Sequence, residues 1–200
     1  TSCSPSGEVT SPDGKLQFRL SEQNGAVYYT LHRGETVVLA PSALGLRLRE
    51  CDGMKNMRIK EISLSSFSEV WQQPWGEEVE IENTYNELRA NLVSKEENTF
   101  RATLVVRMFN DGVGFRYEIP EQADLDSITV IDELTEFALP DEATSWSIPS
   151  NHTSYYEGVF RELPVSKLDT VCTPLTLQAA ENLYLTIHEA ALTDYAKMNL

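Results

Sequence analysis

In Leu16-Gln17-Phe18-Arg19-Leu20-Ser21-Glu22-Gln23-Asn24-Gly25-Ala26-Val27-Tyr28-Tyr29-Thr30-Leu31, apolar residues recur at every second position before a dipeptide that accepts positive φ. Leu16, Phe18 and Leu20 share one side of a strand, Asn24-Gly25 supplies a two-residue hairpin turn, and Ala26 to Leu31 returns. Arg33-Gly34 turns the chain again. The same grammar predicts strands over 36–40, 44–48, 57–65, 79–92, 99–108, 114–119, 127–137, 175–177 and 183–188. Almost nothing repeats with helical spacing. Short strands separated by turn residues such as Asp111-Gly112, with β-branched and aromatic enrichment, predict an all-β chain, a large antiparallel β-sandwich of two stacked sheets. Residues 1–14, with Pro5, Gly7, Pro12 and Gly14 among Ser and Asp, read as a leader and turn, and 15–200 as the sandwich domain.

The chain has 200 residues with 16 Lys and Arg against 31 Asp and Glu, a formal charge of -15. Such a chain repels phosphate backbones and has no basic run to offer a local exception, so nucleic acid is excluded as a partner. No stretch approaches the roughly 18 consecutive apolar residues of a transmembrane segment. Cys3, Cys51 and Cys172 close one disulfide at most. Beginning at Thr1 and stopping at Leu200 without a tail, the chain reads as a piece of something longer. The surroundings of Cys3, Thr1-Ser2 before it and Ser4-Pro5-Ser6-Gly7 after it, resemble those of the lipid-modified cysteine of a bacterial lipoprotein.

Two segments lack either periodicity and read as functional loops: Phe67 to Glu80 and Pro140 to Pro164. They hold Trp71, Trp75 and Trp146 among polar neighbours. Flat aromatic faces stack on the C–H faces of sugar rings while Asn, Gln and Glu bond the hydroxyls, so a carbohydrate is the natural ligand. The bland alternative is that each tryptophan plugs an open end of the sandwich. Hydrolase elbows, phosphate-cradling glycine loops and Cys-x-x-Cys pairs are absent. His188-Glu189 begins a zinc-protease pattern, but Leu192 stands where the second histidine belongs. Glu189 itself lies in a run of apolar and small residues and needs a partner. That partner is an arginine, water or a cation, and Ca²⁺ wants six to eight oxygen ligands, which one carboxylate cannot supply.

Four segments, Trp71-Gln72-Gln73-Pro74-Trp75-Gly76-Glu77, Asn83-Thr84-Tyr85-Asn86-Glu87-Leu88, Phe109-Asn110-Asp111-Gly112-Val113-Gly114-Phe115-Arg116-Tyr117 and Ile187-His188-Glu189-Ala190-Ala191-Leu192, resemble glycoside hydrolase family 97 in that family's order. The resemblance spans about Ser11 to Leu200 and corresponds to the N-terminal domain, a super-sandwich of the galactose mutarotase-like kind. It implies a bacterial, exo-acting α-glucosidase or α-galactosidase whose catalytic carboxylates sit in a following (β/α)8 barrel, so that none lies in this chain. It also implies that Glu189 joins barrel glutamates around a calcium ion, with an α-linked oligosaccharide as substrate, and that the protein is periplasmic, lipid-anchored if Cys3 is modified. Glu77, Trp75 and Asn151 are the candidate substrate-binding residues, chosen from loop placement and chemistry. A rival reading is a stand-alone carbohydrate-binding module built on Trp71, Trp75 and Trp146. A third is a purely structural scaffold.

Overall fold

The computed structural model describes residues 7–51, 53–95, 100–123, 125–150 and 157–200. Cys3, Asn151 and the loop residues His152, Tyr155 and Tyr156 lie outside them. Contacts divide the chain into two units, one up to Ala138 and one over Leu139–Leu200.

In the first unit β1 (Gly7–Thr10), β2 (Leu16–Gln23), β3 (Ala26–Arg33) and β4 (Thr36–Leu44) form one antiparallel sheet in chain order. The hairpin between β2 and β3 turns as the sequence requires, with φ of 52° at Asn24 and 82° at Gly25. Gly7–Thr10 is a strand, where the sequence predicted leader. Val9 opposite Phe18 carries the buried side of β2 one strand further, a contact that three residues of alternation cannot announce. The turn after β1 is held by Asp13, whose Oδ1 accepts from Ser11 Oγ at 2.6 Å and from the Lys15 amide at 3.1 Å. The Ser11 hydroxyl, then the Lys15 amide and ammonium, hold the Asp13 carboxyl down from 3.8 to about 2. A depressed carboxylate stabilises the fold above its unfolded value and stops doing so as pH falls through its folded value. Asp13→Asn is therefore expected to flatten the acid dependence of stability between about pH 4 and pH 2, checked by urea melts across that range.

β5 (Leu46–Leu48) leads to the long β6 (Met57–Gln72), which pairs with β7 (Glu80–Ser94), then β8 (Arg101–Met108) and β9 (Val113–Glu118), again antiparallel in chain order. β10 (Val130–Glu133) pairs with β5. From β10 the chain runs beside β4 without regular strand geometry: the Glu136 amide donates to Ala43 O at 2.9 Å and the Ala138 amide to Ser42 Oγ at 2.9 Å. The two four-stranded sheets face each other. Phe18 and Tyr29 stack at 5.2 Å, and Tyr29 meets Phe115 of the opposite sheet at 5.7 Å. Leu88, Leu104, Val106 and Met108 close the layer from below. The Tyr29 hydroxyl donates to Glu136 O at 2.7 Å, which satisfies a buried polar group.

β6 and β7 reach beyond the layer as a two-stranded ribbon. Phe67 to Gln72 is thus strand, where the sequence suggested loop, and only 73–79 turns. The ribbon holds itself by cross-strand pairs instead of burial: Ser66 with Asn86 at 2.7 Å, Ser68 with Thr84 at 2.9 Å, and Asn83 donating to Glu69 at 2.8 Å. β6 is the outer strand of its sheet.

The second unit is a sheet of β11 (Thr144–Ser147), β12 (Arg161–Pro164), β13 (Leu175–Ala180) and β14 (Leu183–Ile187) in the order β12-β11-β13-β14, with a short 3-10 turn at Val165–Lys167. β11 and β12 fall inside the segment Pro140 to Pro164 that the sequence suggested as loop. Strict alternation puts Ser145, Ser147, Leu175 and Leu177 on the buried side and Trp146 on the other. The all-β antiparallel class read from the sequence is what the chain forms.

Candidate functional site

Glu189 follows β14, whose last residue, Ile187, is buried and anchors the strand end. Beyond it the chain returns so that Leu200 and Val171 exchange backbone hydrogen bonds at 3.0 and 2.8 Å. That pairing carries Met198 and Thr173 to the carboxylate. Thr173 Oγ1 donates to Glu189 Oε2 at 2.5 Å, and the Met198 amide donates to Oε1 at 2.6 Å. Burial works against the charge, but the Thr173 hydroxyl, the Met198 amide and nearby Lys197 outweigh it and hold the carboxyl below its ordinary range. The partner that the sequence demanded is thus a hydroxyl and an amide. Each oxygen accepts one hydrogen bond, and an ionised carboxylate has about four lone-pair positions, so this half-buried anion keeps capacity for a cation.

Among the described residues no group of three or more His, Cys, Asp or Glu stands close enough to hold a metal ion. One carboxylate falls short of the roughly six to eight oxygens of a calcium site. Glu189 fits as one ligand of such a site and no more.

Trp75 and Glu77 sit together at the tip of the β6–β7 ribbon. The turn is shaped by Gly76, whose φ of 133° suits glycine alone, and by the Gln73 side chain donating to Glu78 O at 2.5 Å. Trp75 is 84% exposed, so it plugs nothing. Trp75 and Glu77 belong to the first unit and Glu189 to the second. Trp71 lies on strand β6, and Trp146 lies on strand β11 with its ring 6.2 Å from that of Tyr184. Sequence reasoning missed Tyr184 and Thr173. Period-two alternation in 183–187 was the available signal for the first; nothing local marks the second.

Two of the four motif segments build the outer face of the β6–β9 sheet. Arg107 donates to Glu87 at 2.7 Å and covers the Tyr85 ring at 4.5 Å, while Tyr85 also stacks on Phe67 at 5.2 Å. Arg89 bridges Glu87 and Glu118, and Arg116 donates to Glu118 at 2.5 Å. Burial opposes the Glu118 charge, yet Arg89 and Arg116 prevail and lower its pKa. Every charge in this cluster has an internal partner, so the motifs serve the sheet.

Residues 9–200 match the family model described as Glycosyl-hydrolase 97 N-terminal. The chain is 28% identical over 131 residues to a probable retaining alpha-galactosidase of Streptomyces bingchenggensis strain BCW-1, which covers 66% of this chain and 19% of that protein. A glycoside hydrolase family 97 enzyme from Pseudoalteromonas sp. strain K8, solved in complex with panose and with acarbose, superimposes with a TM-score of 0.92 at 34% identity over 96% of this chain and 30% of that one. A beta-arabinopyranosidase shares the fold, with a TM-score of 0.82 at 24% identity over 90% of this chain and 31% of that one. The chain thus spans about a fifth to a third of the length of the proteins it matches.

Proposed function

The chain belongs to the glycosyl-hydrolase 97 family, whose N-terminal domain it contains, and from that premise we propose that it is the N-terminal part of an exo-acting α-glycosidase, α-glucosidase or α-galactosidase in kind. Its role there is to supply Glu189 to a calcium site and the ribbon tip, with Trp75, Glu77 and, from the 140–164 segment, Asn151, to a pocket wall. The catalytic carboxylates belong to a following barrel, and the substrate is an α-linked oligosaccharide. The observation that carries this reading is the Glu189 carboxylate, ionised, half-buried and oriented by Thr173 and Met198, with lone pairs to spare.

Bound calcium supplies positive charge that polarises or positions groups at the scissile bond. Glu189 contributes a fixed anion, and its two internal donors prevent the side chain from swinging away. The exposed ring of Trp75 offers a stacking face for a sugar, and this also favours the second reading, carbohydrate binding by the tryptophans without any following barrel.

The experiment is hydrolysis of p-nitrophenyl α-glucoside and α-galactoside by the longer polypeptide before and after chelation. We expect turnover of at least one substrate, a loss of about tenfold or more on calcium removal, and recovery on its return. Hydrolysis of neither substrate would overturn the glycosidase reading, and turnover indifferent to chelation would overturn the metal.

A further inference from the structure

The outward face of the second unit's sheet carries an aromatic pair that neither its core nor the calcium reading uses. Trp146 on β11 stands opposite Thr176 of β13 and Glu162 of β12, Thr176 opposite Thr186 of β14, and Gln178 opposite Tyr184. All of these side chains therefore point the same way. The reverse face is already closed by Ser145, Leu175 and Leu177, so the pair is not needed to bury the sheet. Tyr184 remains 59% exposed, and its ring lies 6.2 Å from that of Trp146 with a tilt of 35°. Beside the rings, the Thr176 and Thr186 hydroxyls lie 3.2 Å apart, with Gln178 and Glu162 adding amide and carboxylate groups.

We propose that Trp146 and Tyr184 form a binding platform for a neutral oligosaccharide. The chemistry chooses the occupant. A pyranose presents C–H faces that stack on aromatic rings and a rim of hydroxyls that both donate and accept, and this face presents two rings ringed by hydroxyl, amide and carboxylate groups. No cation stands at a paired outward position of the sheet, and the chain carries a charge of -15, which disfavours phosphorylated or carboxylated ligands. A peptide partner would be expected to find an apolar patch in place of the polar residues paired with each ring. The choice of an α-linked glucan as probe rests on the glycosidase reading above.

The test is titration of the 200-residue chain with maltotriose, followed by calorimetry and by the side-chain NMR signals of Trp146. Saturable binding with a Kd on the order of 1 mM is expected. Trp146→Ala and Tyr184→Ala should each weaken it about tenfold, and Tyr184→Phe, which keeps the ring, should retain most of it. Melting temperatures identify any variant that fails to fold, and the phenylalanine variant separates stacking from a merely structural role, which would move stability and leave affinity alone. A flat isotherm, or binding that survives both alanine variants and disappears with Trp75→Ala, overturns the platform. Turnover is not read, so either result leaves the glycosidase reading standing; conversely, binding with no hydrolysis by the longer polypeptide sinks that reading alone.

Discussion

Glu189→Ala in the longer polypeptide is expected to lower kcat/KM about 100-fold and to weaken calcium binding by a similar factor. The carboxylate is held ionised against the cost of its burial by Thr173, Met198 and Lys197, so a metal meets an anion and not an acid that must first lose a proton. Glu189→Gln keeps the shape and removes the charge. It should reproduce most of the loss while keeping one of the two internal hydrogen bonds, so its melting temperature should fall less than that of the alanine variant, which separates ligation from folding. Alanine does carry a folding penalty, at roughly 1 kcal/mol, because the buried Thr173 hydroxyl loses its shorter acceptor and keeps only Met198 O at 3.3 Å, and the Met198 amide loses its own. Thr173→Val leaves the carboxylate in place but frees one oxygen, and an effect of about tenfold on calcium affinity would mark it as a positioning residue. Turnover and calcium affinity unchanged in both Glu189 variants would remove the residue from the site.

Phe18→Ala is expected to cost about 3 to 5 kcal/mol, a large share of the roughly 5 to 15 kcal/mol that holds an ordinary domain folded. The side chain is 0% exposed, stacks on Tyr29 at 5.2 Å and stands between the two sheets of the first unit. Truncation leaves a cavity that neither sheet fills, because both are tied at their edges: the Asn86 side chain donates to Thr10 O at 2.9 Å and the Tyr29 hydroxyl to Glu136 O. Tyr29→Phe, which keeps the ring and loses only that last bond, should cost about 1 kcal/mol. Urea unfolding with hydrogen exchange over β7 and β8 reads both. A Phe18→Ala loss under about 1 kcal/mol would mean that the layer collapses freely onto the vacancy, contrary to the tied edges.

The β2–β3 hairpin was legible in the sequence because its demands are local: positive φ at Asn24 and Gly25, and a buried side chain at every second position. The ribbon was not. Ser68 and Glu69 fell in the stretch from Phe67 that read as loop, and the force that keeps them extended is a ladder to Thr84 and Asn83, 16 and 14 positions away. Trp146 misled for a related reason, since β11 is four residues long and lies between β12 and β13, whose residues opposite Trp146 are Glu162 and Thr176, far along the chain. Glu189 announced itself by standing where a carboxylate is costly. Its partners, 16 and 9 residues distant, could be found only when the fold joined the 171–173 and 198–200 stretches. The family resemblance carried the family and its fold, which periodicity alone does not name.

The outer strand β6 has a bearing on how the molecule behaves in a test tube. Its far half displays Leu64 and Val70 on one side and Phe67 and Trp71 on the other, and among the described residues no strand pairs with its outer edge, which leaves backbone groups for a similar strand. Two such ribbons could zip together. The glutamates at 69, 77, 78, 80 and 82 surround the apolar groups with like charge, which opposes such pairing. That protection is electrostatic and reaches about 10 Å at 0.1 M salt, shrinking to about 3 Å at 1 M. The acidity of this chain therefore acts as a colloidal shield, strongest in dilute buffer and thinnest in the concentrated salts used to crystallise proteins.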